Sequence, residues 1–258
     1  LRKINKSNPP NALTLYYSQF QKNTWENFYH YNSGSDYKVI KNLILTDQAY
    51  LCAYCEVSLN SIGDHRRRVE HFHPKRDRSG VVNWGLAWSN LLGVCLGGTY
   101  SSGDGVAQFP LPANLSCDSA KDRNHKVGNP EGIILNPLEM MKFPSLFQLD
   151  KLNCFLEPCT EGCERYAPKN NIFDSTIKLV ENTINVLNLN CSRLSEARKG
   201  VLKYYNQKAA AAAKVRDKYY KAKLADEWFG RGVTSLFTTK RLLLGEEAEK
   251  VIRGEDRS

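Results

Sequence analysis

The pair Cys52-Ala53-Tyr54-Cys55 constrains this chain more than any other feature. Two thiolates at that spacing on a tight turn can take two adjacent corners of a zinc tetrahedron. The same spacing serves thioredoxin-like redox sites, which want a strand before the motif and a helix opening within it. Here residues 36–50 precede it, with Val39, Ile40, Leu43, Ile44 and Leu45 at helical spacing, so the redox reading is disfavoured. Two further ligands complete the tetrahedron, and Cys95 and Cys117 are the downstream candidates. The spacing therefore points to a structural zinc on Cys52, Cys55, Cys95 and Cys117; the alternative is four unrelated buried thiols.

Eight cysteines lie in these 258 residues, and no charged segment followed by an apolar one marks the chain for secretion. A reducing, cytoplasmic setting is expected, where clustered cysteines are metal ligands more often than bridges. No apolar run approaches the roughly 20 residues that span a bilayer, so no membrane partner is expected. Lys and Arg number 36 against 27 Asp and Glu, a net charge of +9 compatible with a polyanionic partner such as nucleic acid.

The texture along the chain predicts an α+β protein in three parts. Residues 1–48 read as an arm and helices. Residues 49–130, rich in Gly, Asn, Asp and Pro, read as short strands and loops, with an aperiodic insertion at 99–112. Residues 131–258 read as an irregular or hairpin segment, with strands near 132–135 and 145–149, followed by a helical region. There the helical period returns at Ile177, Val180, Ile184 and Leu187, and residues 193–229 read as one long helix.

Between the cysteines stands Arg66-Arg67-Arg68-Val69-Glu70-His71-Phe72-His73-Pro74-Lys75. A carboxylate can hold a hard divalent cation, a neutral imidazole can take a proton from water, and flanking cations suit a phosphate chain. Alone, Glu-His is a common surface dipeptide; its place between the halves of a zinc site changes that weighting.

Together these runs resemble the HNH endonuclease signature: Cys52-x-x-Cys55, Glu70-His71-Phe72-His73-Pro74, Asn90-Leu91-Leu92-Gly93-Val94-Cys95 and Cys117-Asp118-Ser119-Ala120-Lys121. The wording is closest to the PtuB subfamily, the HNH subunit of Septu anti-phage systems that also accompanies some retrons. The runs Ile134-Leu135-Asn136-Pro137-Leu138 and Thr183-Ile184-Asn185-Val186-Leu187-Asn188-Leu189-Asn190 are similar to it as well.

The resemblance implies a ββα-metal core, elaborated by N- and C-terminal helices, that hydrolyses nucleic acid internally. It implies His71 as general base, Glu70 and Asp118 as ligands of a catalytic Mg2+ or Mn2+, and Asn90 bracing the loop that aims His71. Arg67, Arg68, His73, Lys75 and Lys121 would meet substrate phosphate. The family has Asp or His where Glu70 stands, and Asn or His where Asp118 stands. Its last two cysteines lie two residues apart, whereas Cys95 and Cys117 are split by the insertion. The implied partners are a PtuA-like ATPase, a retron reverse transcriptase with its msDNA, and DNA or structured RNA, in a bacterial cytoplasm. The chain carries no GxxxxGK[ST] run of its own. A non-catalytic zinc-dependent binding module and an RNA-directed effector nuclease are the alternatives.

Other residues have plain readings beside functional ones. His73 can also pack as a strand-end residue or serve as a second metal ligand. His125 and Asp104 are rivals to Asp118; an exposed helical face and a solvated loop are their plainer places. Cys154, Cys159, Cys163 and Cys191 are poorly spaced for a second zinc and default to ordinary thiols. The basic residues from Arg193 to Lys223, interleaved with Tyr204, Tyr205, Tyr219 and Tyr220, suit a nucleic-acid backbone, an acidic partner or plain solvation. His30 and His65 carry no distinct signal.

Overall fold

The computed structural model describes residues 1–60, 62–99, 109–123 and 128–254. Three helices lead the chain: α1 (Asn11–Gln19), α2 (Trp25–His30) and α3 (Ser35–Asp47). Helix α2 starts at a capping box, in which the Thr24 hydroxyl accepts from the Asn27 amide at 3.2 Å and the Asn27 side chain accepts from the Thr24 amide at 2.8 Å. Their apolar faces meet around Leu13, Tyr16, Trp25, Phe28, Ile40 and Ile44.

On this layer lies a two-stranded antiparallel ribbon, β1 (Arg67–His71) and β2 (Leu91–Cys95), with Arg67 opposite Cys95 and His71 opposite Leu91. Gly93 sets how closely α3 approaches it: a Cβ there would stand 2.8 Å from Leu45 and 3.2 Å from the Gln48 side-chain nitrogen. The buried Gln48 amide uses that space, donating to the Gly93 carbonyl and accepting from its N–H, both at 2.7 Å. One face of the ribbon is thereby committed to the N-terminal helices, through Val69 and Leu91. The other carries Leu92 and Val94 into the main core, which Cys95 joins at the end of the strand.

Helix α4 (Cys117–Arg123) packs on that second face. The main core continues through a second antiparallel ribbon, β3 (Phe147–Asp150) and β4 (Phe155–Pro158), the short α5 (Thr160–Glu164), and α6 (Thr176–Val186). The long α7 (Ser192–Lys214) leads to α8 (Tyr220–Phe229), α9 (Phe237–Leu244) and α10 (Glu246–Arg253). The last three close on their own apolar cluster, which includes Leu224, Trp228, Phe229, Phe237 and Leu244. Helices and two small ribbons make this a mixed α and β protein. Among the described residues no helix is long and apolar enough to cross a membrane.

Two sequence expectations need correction. Residues 132–135 form no strand beyond an isolated bridge between Glu131 and Ile134, because the Ile133 and Ile134 amides both turn back to the Pro130 carbonyl at 3.0 Å. The helix expected over 193–229 is two helices. Helix α7 ends in a Schellman motif: Arg216 takes φ 57°, and the Asp217 amide bonds the Ala212 carbonyl at 2.9 Å. Asp217 then accepts from the Tyr219 amide at 2.9 Å, turning the chain into α8. Hydrophobic period does not register such a turn.

Candidate active site and metal centre

Cys52, Cys55, Cys95 and Cys117 are all buried, with their sulfurs within 4.8 Å of one another. The contacts are 3.8 Å for Cys52–Cys117, 3.7 Å for Cys55–Cys95 and 3.8 Å for Cys95–Cys117. Sulfurs at the corners of a tetrahedron with zinc–sulfur bonds of about 2.3 Å stand about 3.8 Å apart, so the donor set fits such an ion. Burial and the neighbouring thiols push Cys117 well above the ordinary thiol range. Coordination would relieve that crowding by removing the protons.

Local structure explains how distant cysteines converge. The Ala53 amide bonds the Gly93 carbonyl at 3.0 Å, tying the first pair to β2, which ends on Cys95. The insertion is pinched shut at its neck, where the Ser116 amide bonds the Gly97 carbonyl at 3.0 Å. Gly97 has φ 61°, and a Cβ there would fall 2.2 Å from the Ser116 carbonyl. Asn188 holds the returning strand of the neck through the carbonyls of Ala113 at 2.9 Å and Leu115 at 2.7 Å.

Cys117 opens α4, so Asp118 and Lys121 follow on one helical face. Glu70 leaves β1 toward that face. The Lys121 ammonium pairs with Glu70 Oε1 and stands 3.4 Å from Asp118 Oδ1, all three side chains being buried. Among the described residues, Asp118 Oδ1 nevertheless accepts no hydrogen bond. Burial pushes Asp118 up to about 7, with Asp122 adding to the rise and Arg68 opposing it. Burial also brings Lys121 down to about 8. Both shifts run opposite to what ion pairing produces, because burial is the largest cause of each. Two buried carboxylates with an orphaned oxygen fit a hard divalent cation.

His71 leaves β1 on the opposite face, as consecutive strand residues must. Its Nε2 is 3.1 Å from the Gly85 carbonyl and its ring meets the Trp25 ring edge-on at 4.8 Å. A carbonyl only accepts, so Nε2 carries the hydrogen and Nδ1 keeps its lone pair. Burial lowers His71 to about 4, leaving it neutral at physiological pH. Asn90 clamps the segment between the strands: its Oδ1 accepts from the His73 amide at 2.6 Å, and its Nδ2 donates to the carbonyls of His73 at 2.9 Å and Trp84 at 2.8 Å.

No protein-family model matches the sequence. Over 213 residues, 80% of this chain and 81% of the relative, it is 40% identical to the Escherichia coli protein named "Retron Ec83 putative HNH endonuclease". The chain belongs to the HNH endonuclease family. These enzymes hydrolyse nucleic acid.

In this HNH endonuclease the remaining residues singled out from sequence fall as follows. The His73 nitrogens face Glu131 at 3.0 Å and Asp77 at 2.7 Å, and its ring stacks on Trp84 at 4.0 Å, leaving no nitrogen for a metal ion. Arg67 is bonded to the carbonyls of Asn60 and Ile62, and Lys75 is paired with Glu26 at 2.6 Å. Arg68 is exposed and close enough to Asp118 to lower its pKa. His125 and Asp104 lie outside the described residues. Cys154, Cys159, Cys163 and Cys191 do not gather: among the described residues the four-cysteine set is the one group of three or more metal-ligating side chains brought together.

The basic stripe is partly internal to the nuclease. Arg198 is buried and bonds the Cys154 carbonyl at 3.1 Å, and Arg193 reaches the Ser116 hydroxyl at 2.6 Å beside the cysteine cluster. Sequence reasoning passed over Gln48, Gly85, Asn188 and Trp25 as parts of the site's support. Trp25 carried a signal in the aromatic run from Tyr16 to Tyr31, and Asn188 in the Asn-rich run of α6 and its exit.

Proposed function

We propose that this chain is a metal-dependent endonuclease whose β1, β2 and α4 act as a ββα-metal unit. Glu70 and Asp118 would hold one Mg2+ or Mn2+, His71 would be the general base, and the four cysteines would hold a structural zinc. The observation that carries this reading is the meeting of two buried carboxylates from separate elements, one of them adjacent in the chain to an anchored, neutral imidazole. Glu70 and Asp118 would hold the cation, which when bound would supply positive charge to the phosphate oxygens. His71 accepts a proton from water at Nδ1 while Nε2 stays bonded to Gly85. The water oxygen bonds to phosphorus, the bond to the 3′ oxygen breaks, and that oxygen takes a proton from solvent, leaving a 3′-hydroxyl and a 5′-phosphate.

Because Glu70 and His71 leave opposite faces of β1, the scissile phosphate lies across the end of the ribbon, where His71 and Leu91 are paired. Arg68, exposed and close to Asp118, would meet it. Arg67, Lys75 and Lys121 reach phosphate only by leaving their present partners. The name of the relative ties that protein to a retron. By that likeness and the PtuB resemblance, this chain would be the effector of a bacterial anti-phage complex, with a PtuA-like ATPase and retron components as partners.

Cleavage of plasmid DNA and of total RNA by wild type, His71→Ala and Glu70→Gln, with and without Mg2+ or Mn2+, tests the reading. Metal-dependent nicking that falls at least ~100-fold in both variants is expected. Equal cleavage by wild type and His71→Ala would overturn it.

A further inference from the structure

The aromatic layer that walls His71 continues outward into a cleft of about 630 Å³ between the α2–α3 junction and the start of β1. Tyr29, His30, Tyr37, Lys38, His65 and Arg67 are among its lining residues. Tyr29 is 45% exposed and packs on Tyr37 at 4.5 Å between ring centres. Tyr37 meets Trp25 at 5.8 Å, and Trp25 meets His71 at 4.8 Å. An unbroken row of rings thus runs from the open cleft to the imidazole. Arg67, in the cleft wall, shares a face of β1 with His71, since the two are an even number of residues apart.

Charge in the cleft favours an anion. Lys38 is exposed, while the wall carboxylate Asp64 is already bound by Lys41 at 2.9 Å. Ser33 (φ 52°) and Gly34 (φ 76°) at the rim follow Asn32 (φ 49°), successive left-handed residues of which Ser33 has a Cβ that resists that conformation. Exposed rings beside cations are the apparatus that binds single-stranded nucleic acid, the rings stacking on bases and the cations tracking the backbone. A base inside a duplex has its faces covered by its neighbours and cannot enter.

We propose that this cleft holds an unpaired base of the substrate strand, stacked on Tyr29 with Lys38 on the adjoining phosphate, and so directs the nuclease to single-stranded segments. The proposal rests on the nuclease reading for its purpose but not for its measurement. Binding of a labelled single-stranded oligonucleotide, and of a blunt duplex of the same sequence, would be measured by fluorescence anisotropy in full-length His71→Ala protein, with thermal melts verifying that each variant folds. Tyr29→Ala should weaken single-strand binding about tenfold, with duplex binding little changed. Tyr29→Trp should restore it, and Lys38→Glu should weaken it with a shallower salt dependence. Equal binding of both oligonucleotides, untouched by Tyr29→Ala, overturns the cleft while leaving the nuclease reading intact; so does a Tyr29→Trp variant as weak as the alanine. Selective, Tyr29-dependent binding by a wild-type protein that cleaves nothing would sustain the cleft and overturn the nuclease reading.

Discussion

Lys121 of α4 reaches Glu70 of β1 across 51 residues of chain, and this pairing places an ammonium where two buried carboxylates converge. The lysine is thereby a resident counter-ion for Glu70 and Asp118. Replacing it with an uncharged chain of similar length leaves the carboxylates facing each other out of water. Lys121→Met should lose about 3 kcal/mol of stability without divalent cation, the scale of breaking a buried pair. It should recover more stability than wild type on addition of Mg2+ or Mn2+, since no ammonium has to be displaced. Denaturant melts across a metal titration check this, and an identical metal response in both proteins contradicts it.

The cysteine tetrahedron predicts about one zinc per chain, measurable by elemental analysis of the purified protein. Cys95→Ser should remove it and lower the melting temperature sharply, because Cys95 ends β2 and ties the ribbon to α4. Cys159→Ser should do neither: Cys159 is only half-buried and lies outside the cluster. Full zinc content in the Cys95 variant would argue against the four-thiolate site.

How far these features could be read from sequence depends on whether they are local. Cys52 and Cys55 declare themselves by spacing, because the motif is only four residues long, and Glu70-His71 stands out as a candidate by adjacency. The Lys121–Glu70 pair does not, since it exists only once α4 packs on the ribbon. Trp25 reaches His71 from a separate helix, and no spacing rule links them. The break after α7 escaped because hydrophobic period continues through it, while the decision is made by a left-handed Arg216 and the Asp217 side chain. The apolar run at 132–135 read as a strand, yet its amides were taken by Pro130. Lys121–Glu70 and Trp25–His71 escape because packing from elsewhere in the chain makes them, while the α7 end and residues 132–135 are decided by local backbone hydrogen bonds that hydrophobic pattern does not register.

Asn90 is buried and makes three hydrogen bonds to backbone groups between β1 and β2, which truncation would leave unpaired. Asn90→Ala should cost about 3 kcal/mol, a melting shift of about 6 °C or more in a protein this size. Because Trp84 precedes the carbonyl that anchors His71, the loosened loop should also lower kcat more than it raises KM. Steady-state cleavage kinetics beside a thermal melt separate the two effects. A variant with lowered stability but unchanged kcat would show that the clamp supports the fold alone.

Lys6 makes a contribution to the pH dependence whose sign is opposite to that of Asp118, raised to about 7 by burial. Its ammonium donates to the Leu91 carbonyl at 2.8 Å and sits 3.3 Å from the centre of the Trp88 ring, yet burial brings it down to about 7 against a weaker opposing pull from Asp47. The folded protein therefore releases this proton near pH 7, whereas the unfolded chain holds it to about 10.4. Between those values the unfolded state binds more protons, so stability from this group rises with pH and is flat below the window. The difference in unfolding free energy between wild type and Lys6→Met, followed by urea melts from pH 6 to 10, should move in favour of wild type as pH rises. A difference that stays constant, or moves the other way, would mean that the ring and carbonyl hold Lys6 charged throughout.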